Sequence, residues 1–145
     1  MSAMAWVYDD GGRAAAGFRG QAGDCVTRSI AIAGQMDYRA VYDELNERTK
    51  PLRQKGKRSG ARTGVPRKVI RSYLADYDWV WTPTMFIGSG CRVHLRADEL
   101  PTGRLIANCS GHLVAVIDGV VHDTHDPSRE GTRCVYGYWQ PRVQS

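Results

Sequence analysis

The first half of the chain carries apolar residues at helical spacing. Between positions 25 and 76 they recur every three or four residues, which is the period of an amphipathic helix. The pattern predicts three helices. The first runs from Cys25 to about Ala33, the second begins after Asp37 and ends before Pro51, and the third starts near Val65-Pro66. Gly34 is the expected C-cap of the first helix, because glycine is common at that position. Pro66 fits the start of the third helix, because proline is favoured in a first turn.

The second half carries the pattern of β-strands. Runs of β-branched and aromatic residues alternate there with clusters of Gly, Pro and Ser. They predict strands at about 79–81, 104–107, 112–117, 120–124 and 134–139. With 145 residues, 42% of them hydrophobic, the chain is long enough for one core. We therefore expect one α+β domain over 1–145, with a helical lobe at about 25–76 packed on an antiparallel β lobe at about 79–140.

A tight hairpin is predicted around Asp118 and Gly119. The apolar runs 113–117 and 120–121 flank this pair, and a type I′ turn requires positive φ at both of its central residues. A two-residue turn places Ile117 opposite Val120. The register of the two strands follows from that pair.

This register brings His112 near a carboxylate. It pairs His112 with His125 and puts Asp123 diagonally across from His112, on the same face of the hairpin. A three-residue turn with a bulge shifts the register and places Asp126 opposite His112 instead. Asp123 is the favoured partner, and Asp126 is the alternative acid.

Cys25 lies at the expected start of the first helix. Gly23 and the expected capping residue Asp24 come directly before it. A helix N-terminus offers unpaired N–H groups and a partial positive charge, which favour a thiolate and can bind an oxyanion. Cys25 is therefore the candidate nucleophile, His112 the candidate base, and Asp123 the group that orients the base.

The order of these residues resembles that of the papain-like cysteine peptidase superfamily, in its small bacterial and phage versions. The segment 22–30, AGDCVTRSI, is similar to the nucleophile motif of ovarian-tumour-type deubiquitinases, in which Arg follows the Cys by three residues. The resemblance implies a papain-like fold, with Cys on the helical lobe and His and Asp on the sheet. It also implies a cysteine hydrolase that acts on a protein or peptide-like substrate through a thioester, without a cofactor.

The chain departs from the papain pattern at the oxyanion hole. Papain-type enzymes carry a Gln six residues before the Cys, whereas position 19 here is Arg and the nearest glutamine is Gln21. Two candidates for the oxyanion hole stay open. They are the Gln21 side chain and the backbone N–H groups of Asp24 and Cys25.

A basic segment at 50–64 separates the second and third predicted helices. It holds six Lys or Arg and no acid, and so contributes much of the net charge of +5. Its composition predicts a mobile loop. An alternative function follows, in which a non-catalytic protein with this fold contacts nucleic acid or an acidic partner through Arg53, Lys55, Lys57 and Arg58. The loop has no aromatic residue for base stacking, so nucleic acid is not the favoured partner.

A zinc-binding protein is the other alternative. Three pairs of soft ligands each have two residues between their members. They are Cys91 with His94, Cys109 with His112, and His122 with His125, and Cys134 is a seventh ligand of a kind that zinc accepts. Residues three apart on a strand point to opposite faces, which argues against chelation by such a pair. A catalytic metal on His112, Asp123 and His125 is a further possibility, and no metal is the favoured expectation.

The cysteines and the N-terminus bear on location. Four irregularly spaced cysteines do not resemble a disulfide framework, and the first ten residues lack the pattern of a secretory signal. No run of eighteen apolar residues is present, so no membrane span is expected. These features predict a cytoplasmic protein with reduced thiols.

Overall fold

The computed structural model describes residues 4–20, 22–52 and 59–143. Its three α-helices are α1 Cys25–Gly34, α2 Tyr38–Thr49 and α3 Arg67–Asp76, with a 3₁₀ turn at Lys50–Leu52 after α2. Its strands are β1 Ala5–Tyr8, β2 Trp79–Pro83, β3 Val93–His94, β4 Arg104–Cys109, β5 His112–Ile117, β6 Val120–Asp123 and β7 Cys134–Pro141. The α+β class is confirmed, and each predicted helix and strand is present.

The strands form one mostly antiparallel sheet. Its order is β1-β6-β5-β4-β7-β2, and β3 pairs with β7 beside this path. Only β1 runs parallel to its neighbour among these pairs. The predicted strands omitted β1 and β3, because one is a four-residue exposed edge strand and the other has two residues.

The hairpin between β5 and β6 has the predicted two-residue turn. Asp118 and Gly119 have φ of 49° and 78°, as a type I′ turn requires. Ile117 pairs with Val120, and the ladder continues through Val116 and Val121. The register on which the expected contact of His112 with Asp123 depends is therefore the one in the structure.

Both faces of the sheet are covered. The helices pack on one face, where Ile30 of α1 and Tyr73 of α3 share a buried cluster with Ala115 of β5. On the opposite face, Met4 and the segment 95–100 cover the other side chains of β4, β5, β6 and β7. None of the described helices is both long and apolar enough to cross a membrane.

The described residues of the predicted mobile loop at 50–64 include two turns. Lys50–Leu52 forms the 3₁₀ turn, and the turn at 60–64 places Ala61 in the core, where it is 1% exposed. The Ala61 carbonyl accepts a hydrogen bond from Thr27 Oγ1 of α1, and its N–H donates to the side chain of Asn46. The residues predicted to contact a partner (Arg53, Lys55, Lys57 and Arg58) lie outside the described residues.

The expectation of four reduced thiols is wrong for two of them. Cys91 and Cys134 form a disulfide with their Cα atoms 5.9 Å apart. They are 43 positions apart in sequence, but β3 pairs with β7 and sets His94 against Cys134, which brings the two thiols together. Disulfides persist mainly in oxidising compartments, so the cytoplasmic location stays a prediction.

We predict that Gly137→Ala destabilises the fold. A Cβ at Gly137 of β7 would lie 2.2 Å from the ring of Trp81 on β2, and that ring packs on Trp139. The Trp81 ring must shift to admit the methyl group. Overpacking of this kind costs roughly 1–3 kcal/mol in the free energy of unfolding, which urea denaturation measures.

Gly34→Ala is the matched control. A Cβ at Gly34, the last residue of α1, meets the flexible Met36 side chain at 3.4 Å and the Trp79 ring at 4.0 Å, which is ordinary van der Waals contact. We expect the free energy of unfolding to stay within about 0.5 kcal/mol or to rise. Equal effects of the two substitutions would contradict the role assigned to Trp81.

Candidate active site

Cys25 opens α1 at the edge of a cleft. The thiol is half-buried and lies at the first position of the helix, as predicted. The cleft has a volume of about 440 Å³. Residues of α1 and α3 line one wall, and residues of β4, β5 and β7 line the other. The thiol therefore faces a space between the helices and the sheet.

His112, the first residue of β5, lies between the thiol and a carboxylate. Its Nε2 is 2.7 Å from Asp123 Oδ2 at the end of β6. The His112 side chain also lowers the pKa of the Cys25 thiol, so the ring lies beside Cys25. An imidazole has two nitrogens, and Asp123 occupies Nε2, so Nδ1 is the atom left for the thiol.

The pKa of the Cys25 thiol is lowered and the pKa of the His112 imidazole is raised, which favours an ion pair between them. Burial alone would raise the pKa of the Cys25 thiol, but hydrogen bonds with His112 and the Leu113 N–H, and the charges of His112 and Arg28, lower it below its ordinary value. Burial alone would lower the pKa of His112, but its hydrogen bonds with Asp123 and Cys25 raise it to about 9. These shifts favour a thiolate beside an imidazolium near neutral pH.

Asp123 is the carboxylate that contacts His112. It is 1% exposed, and its Oδ1 accepts hydrogen bonds from Arg28 Nη2 at 2.8 Å and the Thr124 N–H at 2.7 Å. Burial opposes its ionisation, but these donors and the charge of His112 bring the pKa of Asp123 below its ordinary value. The alternative acid, Asp126, is exposed and accepts from the Ser128 N–H instead.

Arg28 is a site residue to which the sequence interpretation gave no role. It is 8% exposed, and its guanidinium joins Asp123 to Asp24, with Nη2 on one carboxylate and Nη1 on the other. Asp24 also accepts from the Tyr38 hydroxyl of α2 at 2.6 Å. The spacing of Asp24 and Arg28, four residues apart on a predicted helix, was the available signal.

The expected capping role of Asp24 is wrong. Asp24 occupies the N-cap position of α1, but its side chain makes no capping hydrogen bond, because both oxygens face Arg28 and Tyr38. The N–H of Cys25, in the first turn, is a donor that helix geometry leaves for an oxyanion. The oxyanion role of the Asp24 N–H stays a prediction, and Gln21 lies outside the described residues.

One group of side chains has the composition of a metal site. Among the described residues, the ligand atoms of His112, Asp123 and His125 lie within 4.8 Å of one another. The His125 ring is exposed, and its centroid is 5.2 Å from that of His112. The larger zinc set predicted from sequence loses Cys91 and Cys134 to the disulfide.

We predict that iodoacetamide alkylates Cys25 selectively at pH 6. An ordinary thiol, with a pKa of about 8.5, is almost fully protonated there, whereas the lowered pKa of Cys25 should give this thiol a larger ionised fraction. We expect a rate at least about tenfold above that of N-acetylcysteine, measured by peptide mass mapping. His112→Ala removes the partner and should return the rate to that of an ordinary thiol.

Cys109 is the internal control for this measurement. It is buried, and burial raises its pKa to about 11, so it should stay unmodified. Alkylation of Cys25 that follows an ordinary thiol titration, with or without His112, would contradict the ion pair.

We predict that Arg28→Met lowers the free energy of unfolding by about 3–5 kcal/mol. The substitution leaves two buried carboxylates without their shared cation, and breaking a buried pair costs about this much. It should also slow alkylation of Cys25 at pH 6, because the charge of Arg28 helps to lower the pKa of the thiol.

Arg142→Met tests whether any lost ion pair has the same effect. Arg142 pairs with Asp78 at the surface, where both side chains are about two-thirds exposed, and such pairs contribute about 0–1 kcal/mol. Similar losses in the two variants, by urea denaturation, would contradict a central role for Arg28.

The described residues thus bring together a half-buried thiol, an imidazole and a buried carboxylate, at the mouth of a cleft. A hydrogen bond joins the imidazole to the carboxylate, and the imidazole lowers the pKa of the thiol beside it. Comparisons of the chain with protein-family models, with curated proteins and with solved structures found no match.

Proposed function

We propose that the protein is a cysteine hydrolase that cleaves amide bonds through a thioester intermediate. The observation that carries the proposal is the position of His112. Its Nε2 is 2.7 Å from a buried carboxylate, while the same ring holds the thiol of Cys25. An imidazole placed in this way can take a proton from the thiol and later return it to a leaving group.

The reaction would proceed in two halves. The Cys25 thiolate attacks the amide carbonyl, a C–S bond forms, and the carbonyl electron pair moves to oxygen beside the N–H groups of the first turn of α1. His112 then donates its proton to the amide nitrogen as the C–N bond breaks. A water molecule, deprotonated by His112, attacks the thioester and releases a carboxylic acid and the free thiol.

Asp123 would act by orienting the ring. It fixes the tautomer in which Nε2 carries a proton, and it stabilises the imidazolium once the thiol has ionised. The pKa of Asp123 is lowered, so the carboxylate stays charged across the pH range in which the thiolate exists. This range ends near pH 9, where His112 loses the proton that the leaving amine needs.

The arrangement also supports our proposal of a papain-like fold and a peptide substrate. A nucleophile on a helix meets a base on an antiparallel sheet, which is the arrangement implied by the sequence resemblance. The cleft runs between the two, with space for an extended chain. We propose a protein or peptide-like substrate on this basis.

Hydrolysis of a library of fluorogenic peptide amides tests the proposal. We expect Cys25→Ala to lower kcat/KM by at least about 10³-fold with the fold intact by circular dichroism, because the nucleophile is lost. The matched substitution Cys109→Ala removes a buried thiol from the residue that pairs with His112 across β4 and β5, and it should retain activity because burial raises the pKa of Cys109 and keeps that thiol protonated.

The pH profile gives a second readout for the same library. Activity should rise as pH increases through the lowered pKa of Cys25 and should fall as pH increases through about 9, where His112 deprotonates. Hydrolysis that survives Cys25→Ala would contradict the proposal.

Metal-dependent hydrolysis is the second candidate, favoured by the grouping of His112, Asp123 and His125. Zinc accepts such imidazole and carboxylate ligands and can activate a bound water molecule. This function predicts loss of activity with a chelator and with His125→Ala, and indifference to Cys25→Ala. The cysteine mechanism predicts the reverse on all three counts.

A further inference from the structure

The cleft beside Cys25 continues into a second section along α3. The first section holds Cys25 and His112, and the second has a volume of about 240 Å³. The two sections share four of their lining residues, which are Arg67, Asn108, Tyr136 and Trp139. A chain bound at the thiol can therefore extend along α3 without leaving the cleft.

Two arginines give this path a positive charge. Arg67 and Arg71 lie one turn apart on α3 and are exposed, and Arg71 lines the second section. Among the described residues, neither guanidinium forms an ion pair with a carboxylate, and no Asp or Glu lines either section. The positive charge on this wall is not neutralised by the residues around it.

The rest of the lining favours a peptide over a nucleic acid. Val65, Ile70 and Trp139 give the section beside Cys25 an apolar floor, and Trp81, Pro83 and Met85 do the same for the second section. Asn108 adds an amide that can pair with a peptide backbone. An apolar floor with a few polar groups and a charged wall is typical of a peptide or small-molecule site.

We propose that this cleft selects a peptide substrate that carries acidic side chains next to the scissile bond, with Arg67 and Arg71 as the residues that bind them. Arginine forms paired hydrogen bonds with a carboxylate, and two arginines one helical turn apart can hold carboxylates on alternate residues of an extended chain. This assignment rests on the proposed cysteine hydrolase function and adds to it the class of substrate.

Alkylation of Cys25 with two reagents tests the charge of the wall without a substrate. Iodoacetate is anionic and iodoacetamide is neutral, so the ratio of their rates reports the potential at the thiol. In 10 mM salt, where the Debye length is about 30 Å, we expect the double variant Arg67→Glu/Arg71→Glu to lower this ratio on the order of threefold or more. In 1 M salt the difference should nearly vanish.

Lys68→Glu combined with Arg39→Glu is the matched control, since it changes net charge by the same amount at exposed residues outside both sections of the cleft. It should lower the ratio less than Arg67→Glu/Arg71→Glu does, since neither of its residues lines the cleft. Arg67→Gln/Arg71→Gln, with half the change in charge, should give an intermediate ratio. Circular dichroism checks that each variant is folded.

Protection of Cys25 from iodoacetamide then tests the substrate class. We expect a hexapeptide amide with Glu at alternate positions to slow alkylation, and its Gln counterpart and an oligothymidylate of twelve nucleotides to have little effect. The protection should be lost in Arg67→Glu/Arg71→Glu and kept in the control variant. Stronger protection by the oligonucleotide than by the Glu peptide would overturn the proposal.

The outcomes separate the two levels of the assignment. Fast alkylation at pH 6 with the same reagent ratio in all variants, and no preference for the Glu peptide, would overturn the acidic substrate and leave the cysteine hydrolase in place. Slow alkylation of Cys25 at pH 6 with both reagents would overturn the acidic substrate and the cysteine hydrolase together. A reagent ratio and a peptide preference that both depend on Arg67 and Arg71 would support the assignment.

Discussion

The site depends on one buried cation held between two buried carboxylates. Arg28 of α1 contacts Asp24 at the start of its own helix and Asp123 at the end of β6. An isolated buried charge is costly, and the pairing of Arg28 with both carboxylates offsets that cost. Asp24 also pairs with Arg13, at 3.7 Å. Asp24 is bound in turn by the Tyr38 hydroxyl of α2, so the cluster ties two helices to the sheet.

This cluster sets the chemistry of the thiol through His112. Asp123 is held in place by Arg28 and by the Thr124 N–H, and it presents its other oxygen to Nε2. The pKa of the His112 imidazole is therefore raised, while the pKa of the Cys25 thiol beside it is lowered. The bond from Arg28 to Asp123 also joins α1 to β6, so the geometry of the site and the packing of the fold are coupled.

Local patterns were enough to predict the three α-helices, five of the seven described strands and the central contact. The Asp118-Gly119 turn determines the register of β5 and β6, and that register brings Asp123 to His112. Contacts between distant segments were not accessible in this way. The Cys91–Cys134 disulfide depends on a two-residue strand, and the bond from Arg28 to Asp123 spans 95 positions. Asp24 was expected to cap α1 from its position alone, but a buried arginine competes for its oxygens.

The protonation state of His112 tests the account most directly. A titration of the imidazole nitrogens by NMR, with ¹⁵N-labelled histidine, gives the pKa of the ring and the nitrogen that carries the proton. The account predicts that His112 stays an imidazolium until about pH 9 and titrates lower in Cys25→Ala, where the thiolate is absent. A ring that titrates near about 6.5 in both proteins, as an ordinary histidine does, would contradict the thiolate–imidazolium pair.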